Sequence, residues 1–240
     1  IIAVSGWRGI FAACLVFAAI SITWLGLRQP ETLPRAGRRP LNGAALTEAL
    51  REVLRHPVVR SAIMVQSMVF AALFATLSSI QQVFDLTFGL AREFPVWFAL
   101  IALTAGSASL LNAALVVRLG MRRMVRTSLA VQVAASALMA AATFAGVWTG
   151  QTAFPAFLVW VTGVFFMAGL TLGNVNAIAM EPMGHIAGMA ASAVAALATV
   201  ASVVIAVPIG LSFDGTPAPL MAGVALTCAA GLWLMRRLPG

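Results

Sequence analysis

The sequence predicts an all-α integral membrane protein with seven transmembrane helices, and three observations predict it. Hydrophobic residues make up 61% of the 240 positions and charged residues 9%, against about 25% charged in an ordinary soluble domain. Seven runs are long and apolar enough to cross a bilayer, which takes roughly 20 such residues. Apart from Arg126, just inside the fourth run, the charges lie outside those runs. Strands are excluded because the runs are rich in Ala, Leu, Val and Met and lack alternation at period two.

The predicted spans are Gly9–Leu27, Ser61–Phe84, Pro95–Val117, Met124–Gly146, Ala153–Met180, Ile186–Leu211 and Thr216–Met235. Arginine placement orients them. All 15 basic residues other than His are Arg, and there is no Lys or Tyr. Arg28, Arg35, Arg38, Arg39, Arg51, Arg55 and Arg60 fall in the first connection. Arg118, Arg122 and Arg123 fall in the turn between the third and fourth spans, with Arg126 at the start of the fourth, and Arg236 and Arg237 in the tail. If the spans alternate, these thirteen share one side, leaving only Arg8 and Arg92 on the other. The Arg-rich side is cytoplasmic, so the Glu181–His185 turn is cytoplasmic too, and Asp85, Glu93 and Asp214 are external. A net charge of +8 distributed this way serves topology and does not form a nucleic-acid-binding face. Cys14 and Cys228 lie inside spans and read as buried small residues, not a disulfide framework.

The first connection, residues 28–60, is the one long loop. Pro30, Pro34, Gly37 and Pro40, with Arg between them, read as an extended linker. Leu46, Leu50, Val53 and Leu54 then recur at helical spacing opposite Glu48, Arg51, Glu52 and Arg55. That pattern predicts a short amphipathic helix at the membrane surface, stopped at His56 by Pro57. The six spans beyond it, residues 61–240, divide into three plus three (61–146 and 153–235), a building unit of many secondary transporters.

Several motifs then point to a family. Gly6-Trp7-Arg8-x-Ile10-Phe11, a span, and Pro30-Glu31-Thr32-Leu33 resemble the sixth helix of major facilitator superfamily drug exporters and its exit into the central loop. Asn112 followed by Arg118-Leu119-Gly120-Met121-Arg122-Arg123 resembles the basic turn between helices eight and nine. Phe84-Asp85, Phe88-Gly89-Leu90 and Phe94 suit the external turn between helices seven and eight of the bicyclomycin-resistance (Bcr/CflA) group of drug:proton antiporters. Gly173–Gly188, reading GNVNAIAMEPMGHIAG, is similar to that group's helix ten to eleven junction. The resemblance implies that residues 1–27 are the last helix of an N-terminal half and 28–60 the central cytoplasmic loop. Residues 61–240 would be the C-terminal six-helix bundle, completed by an N-terminal six-helix half of the same polypeptide. It implies multidrug efflux across the bacterial cytoplasmic membrane by proton antiport and alternating access, with no cofactor. Its partners would be lipid, protons and small hydrophobic or amphipathic drugs. One departure is that the Leu119–Arg126 turn lacks an acid, so motion-coupling contacts assigned to the family's equivalent N-terminal loop do not carry over.

Individual residues carry a packing reading and a functional one. Gln66, Phe70, Phe74, Ser78 and Gln81 share a face of the second span, and Trp160, Val164, Met167, Thr171 and Asn174 a face of the fifth. The resemblance makes these helices seven and ten, which line the central cavity, so Gln66, Phe70, Phe74, Ser78, Trp160, Met167, Thr171 and Asn174 are the candidate substrate-facing set. Aromatics, Met and amides suit bulky, weakly polar drugs because such surfaces re-pack; helix packing is the plainer account of each alone. Asn174 is expected either to glue helices or to line the cavity, and Asn176 to act as glue. Glu181, Pro182 and His185 form a candidate cytoplasmic gate, with helix capping as the alternative. The basic turn is Arg118, Arg122 and Arg123. Gly106, Gly188 and Ser192 head faces of small residues that would pack against the opposite half.

No acid lies deep within a span, so the titratable group of a proton-coupled exporter is expected in the N-terminal half, and residues 1–240 alone are expected to be inactive. A nutrient or metabolite carrier of the same superfamily is the alternative function. A seven-span receptor is a further one, although a retinal photoreceptor is excluded because no Lys is present to form the Schiff base. No nucleophile–base or metal constellation suggests an enzyme.

Overall fold

The computed structural model describes residues 2–29, 43–148 and 150–238, and every regular element among them is helical. The linker read over Pro30, Pro34, Gly37 and Pro40 lies outside the described residues. The chain forms two compact units, residues 1–45 and 46–240.

The first unit contains α1, Ile2–Arg28, broken locally at Gly6, whose φ of 66° an L side chain rarely adopts. From Arg8 to Arg28 the helix is apolar and none of it is buried. Phe11, Leu15, Phe17 and Ile20 are all exposed, and the Arg28 guanidinium lies 5.2 Å from the Trp24 ring centroid. A helix apolar on every side is stable only where lipid or protein covers it.

The second unit holds most of α2, Gly43–Arg55, whose first turn lies in the first unit, and continues with α3, Pro57–Gln82; α4, Phe94–Leu119; α5, Met121–Phe144; α6, Phe154–Met180; α7, Ala187–Leu211; and α8, Ala218–Arg236. Pro57 both stops α2 and starts α3, because a proline at the first helical position loses no intrahelical hydrogen bond. The third helix therefore begins four residues before the expected Ser61 and takes in Arg60. A π-helical turn, Val83–Thr87, ends it. Where a broken turn was expected, α6 and α7 are joined by a 3₁₀ turn, Glu181–Ile186. Counted by length and apolarity, six stretches are candidate membrane spans. One of them, Gly150–Leu211, is 62 residues long and holds α6, the 3₁₀ turn and α7 together.

Packing follows a simple exchange rule. Helix α3 packs on α6, α7 and α8; α6 packs on α3, α4 and α5; α5 packs on α8. Swapping α3 with α6, α4 with α7 and α5 with α8 leaves those neighbours unchanged, as two related three-helix units require. Small residues set the closest crossings. A Cβ at Gly223 of α8 would come within 2.4 Å of Ile209 of α7, and one at Gly169 of α6 within 2.9 Å of Ala108 of α4. Without a hydrophobic driving force between helices in lipid, such close backbone approach is a main source of cohesion.

The two ends of the bundle differ. At the end where α3 finishes, Phe84 packs edge-on against Phe94, Phe154 and Phe157. There Gln151 Nε2 donates to the Phe88 carbonyl at 2.8 Å and Thr87 Oγ1 to the Gly215 carbonyl at 2.9 Å. Asp214 accepts from the backbone and hydroxyl of Thr216, chiefly the hydroxyl, and these bonds hold its carboxyl below the usual range. The opposite end carries the α4–α5 turn and the end of α8, where Arg122 Nη1 donates to the Leu238 carbonyl at 3.5 Å.

Candidate functional site

Helices α3 and α6 are the two central elements of the bundle, and each leaves part of its surface open. On α3 the half-buried Phe70 and Phe74 rings lie parallel with centroids 5.5 Å apart. One turn before them Gln66 is 5% exposed, and its Oε1 is buried with no hydrogen-bond partner. One turn beyond, Ser78 is exposed and its hydroxyl donates to the Ala75 carbonyl at 3.0 Å. A Cβ at Gly210 would lie 3.2 Å from that hydroxyl oxygen, so α7 passes close by here. The four α3 residues of the candidate substrate-facing set thus form one stripe, buried at Gln66 and opening progressively toward Ser78.

The α6 stripe lies elsewhere. Trp160, Met167, Thr171 and Asn174 are all nearly or fully buried. Trp160 Nε1 donates to Ser136 Oγ of α5 at 2.9 Å, and Gln132 Nε2 donates to the same oxygen at 3.0 Å. Thr171 Oγ1 donates a hydrogen bond to the Met167 carbonyl at 2.7 Å. Asn174 Nδ2 donates to Asn112 Oδ1 of α4 at 2.6 Å and to the Leu170 carbonyl at 2.8 Å. This face is turned into α5 and α4, because Trp and amide side chains buried in the bundle need partners that only the neighbouring helices supply. The more open face of α6 carries Leu158, Phe165, Leu172 and the exposed Asn176. Of the two roles open to Asn174 the contacts are those of a residue that joins helices, whereas Asn176, expected to do so, is exposed. Gln132 and Ser136, which complete the α5–α6 network, follow no motif and gave no signal beyond being polar residues within an apolar run.

The Glu181–His185 turn meets α2. His185 Nε2 and Glu52 Oε1 are 2.6 Å apart, both on partly exposed side chains. Beside this pair Val53 of α2 is 0% exposed and Met183 of the turn 2%, so the amphipathic helix is seated on the bundle by its apolar face. Glu181 is exposed and Pro182 half-buried. His56, between α2 and α3, has a buried Nδ1 without a partner. In the basic turn, Gly120 takes φ 77° and is the single residue between the end of α4 and the start of α5. Arg122 reaches Leu238, while Arg118 and Arg123 are exposed.

The small-residue faces are open as well. Gly106 of α4 and Gly188 and Ser192 of α7 are exposed, and nothing lies within 4 Å of a Cβ built on either glycine. The stripe that α7 buries is the neighbouring one: Ala190, Val194, Ala198, Ser202 and Ala206.

A family model described as Major Facilitator Superfamily matches residues 1–207. No curated protein and no solved structure matches the chain.

Proposed function

The chain belongs to the major facilitator superfamily, whose members are membrane transporters, and from that premise we propose that it serves multidrug efflux by proton antiport and alternating access. In this reading seven helices cross the membrane with the Arg-rich end in the cytoplasm, and α3–α8 form one six-helix half. A second six-helix half of the same polypeptide closes the cavity and supplies the titratable acid. The observation that carries the proposal is the α3 stripe. Stacked Phe70 and Phe74 between Gln66 and Ser78 make a surface that grips flat, weakly polar molecules by area and polarizability, with few directional bonds to dictate shape. On α6 this reading assigns to the cavity the more open face of Phe165, Leu172 and Asn176 in place of the buried Trp160, Met167, Thr171 and Asn174. The 3₁₀ turn of Glu181, Pro182 and His185 acts as the cytoplasmic gate.

A second reading has one observation in its favour. The unpaired Gln66 Oε1 would reward a substrate that donates a hydrogen bond, as a polar nutrient or metabolite would. Drug susceptibility of cells expressing the full-length transporter, with Phe70→Ala and Gln66→Ala variants beside the parent, separates the two. Efflux predicts that F70A shifts resistance unevenly across the drugs, changing some by about tenfold, the worth of roughly 1.4 kcal/mol of lost contact. Unaltered resistance to every drug, with Gln66-dependent uptake of a metabolite, would establish the carrier instead.

A further inference from the structure

We propose that the groove between α4, α5 and α6 is a binding site for an anionic phospholipid, with an acyl chain along the groove and the phosphate held by Arg118 and Arg123. The groove has a volume of about 300 Å³, and Leu111, Leu115, Leu119, Met124, Val131 and Phe166 give it an almost wholly apolar lining. From Leu111 to Leu119 it runs along α4 for about 12 Å, at 1.5 Å of rise per residue, a shape suited to an extended chain. On α6 it is bounded by Gly163, Phe166, Met167 and Leu170, away from the face of Leu158, Phe165, Leu172 and Asn176. It therefore opens away from the proposed cavity.

Charge selects the headgroup. Arg118 lies seven residues beyond Leu111 and three beyond Leu115, which places it over the same side of α4 at the groove's end. Arg123 lies one turn before Thr127, whose Oγ1 donates to the Arg123 carbonyl at 2.9 Å, and two turns before Val131; both those residues line the groove. The two guanidinium groups are exposed and have no hydrogen bond or ion pair among the described residues, whereas Arg122 is turned toward Leu238. No Asp or Glu occurs between Glu93 and Glu181, so α4, α5 and α6 contribute no competing carboxylate. Basic pockets between helices at the cytoplasmic side are sites where phospholipid phosphates bind. The inference requires membrane embedding alone and is independent of the cargo proposed above.

The test titrates the purified full chain in nonionic detergent with phosphatidylglycerol or phosphatidylcholine and counts retained lipids by native mass spectrometry. Each Arg near an anionic surface is worth about fivefold, so the double variant Arg118→Gln/Arg123→Gln should lose about thirtyfold in affinity for phosphatidylglycerol. Its affinity for phosphatidylcholine, whose choline offsets the phosphate charge, should fall much less, and residual binding of that lipid also shows that the variant is folded. Ser128→Phe, which fills the groove, should weaken both lipids. Retention of the phosphatidylglycerol preference by the double variant would overturn the site. So would an equal loss from Arg236→Gln/Arg237→Gln, because binding would then follow the basic surface as a whole. Phosphatidylglycerol binding undiminished by Ser128→Phe would overturn the place of the acyl chain.

Discussion

A buried amide in an apolar helix must find its acceptors within the protein, and Asn174 finds two: Asn112 of α4 and the carbonyl of Leu170. Interhelical hydrogen bonds of this kind are worth about 0.6 kcal/mol and at most about 1.7. The Asn112–Asn174 pair should therefore show a coupling in that range in a double-mutant cycle of Asn112→Ala and Asn174→Ala, read from unfolding in mixed micelles. Coupling indistinguishable from zero would mean that the 2.6 Å contact contributes nothing. Neither change should alter the drug profile, since the pair lies off the open face. This is where sequence reading stopped short. Asn174 and Asn176 lie two residues apart and so point to different sides of α6, and their burial depends on Asn112, 62 residues distant. Periodicity shows which residues share a face, but it does not say which face meets a neighbour. On α3 the same method selected the half-open stripe of Phe70, Phe74 and Ser78, because there the aromatic and polar positions coincide with the uncovered side.

At the scale of an element, α2 shows which contacts hold a surface helix in place. The amphipathic spacing of Leu46, Leu50, Val53 and Leu54 was enough to predict the helix and its stop at Pro57, since both are local. Its docking site on the Glu181–Ile186 turn was not legible, because it depends on where the far end of α6 arrives. The Glu52–His185 pair is partly exposed, and such pairs contribute about 0–1 kcal/mol. Val53 is fully buried, which is worth roughly 1.5–3 kcal/mol for a side chain of that size. We expect Val53→Asp to release α2, seen as faster proteolysis around Arg51 and Arg55, and His185→Ala to leave the cleavage rate near that of the parent. Faster cleavage of His185→Ala with Val53→Asp near the parent would show that the ion pair, not the apolar contact, seats the helix. Because the turn is the proposed gate, His185→Ala should still slow transport while leaving substrate affinity within about twofold, as expected when a conformational step is touched and the binding site is not. A matching fall in affinity would remove the gate role.

For the whole molecule, the exchange symmetry of the packing explains which surfaces stay open. Helices α3 and α6 each pack extensively on three others, while α4 leans chiefly on α6 and α7 chiefly on α3. The two flanking helices therefore present long uncovered sides, and the small residues Gly106, Gly188 and Ser192 lie on them. Glycine in a helix interior, as at Gly106 of α4, costs about 1 kcal/mol against alanine, and neither there nor at Gly188, in the first turn of α7, does a neighbour within 4 Å account for the glycine inside the bundle. A second body packed there would account for it, since only a missing side chain lets backbones approach closely. Gly188→Leu separates these possibilities because the bundle itself has room for the new side chain. The variant should unfold at the same temperature as the parent or slightly higher, yet lose most of its transport, because the added side chain would hold the two halves apart as they rock. Transport at the parental rate would mean that this face of α7 meets only lipid, and the seam between the halves would then have to run along another pair of helices.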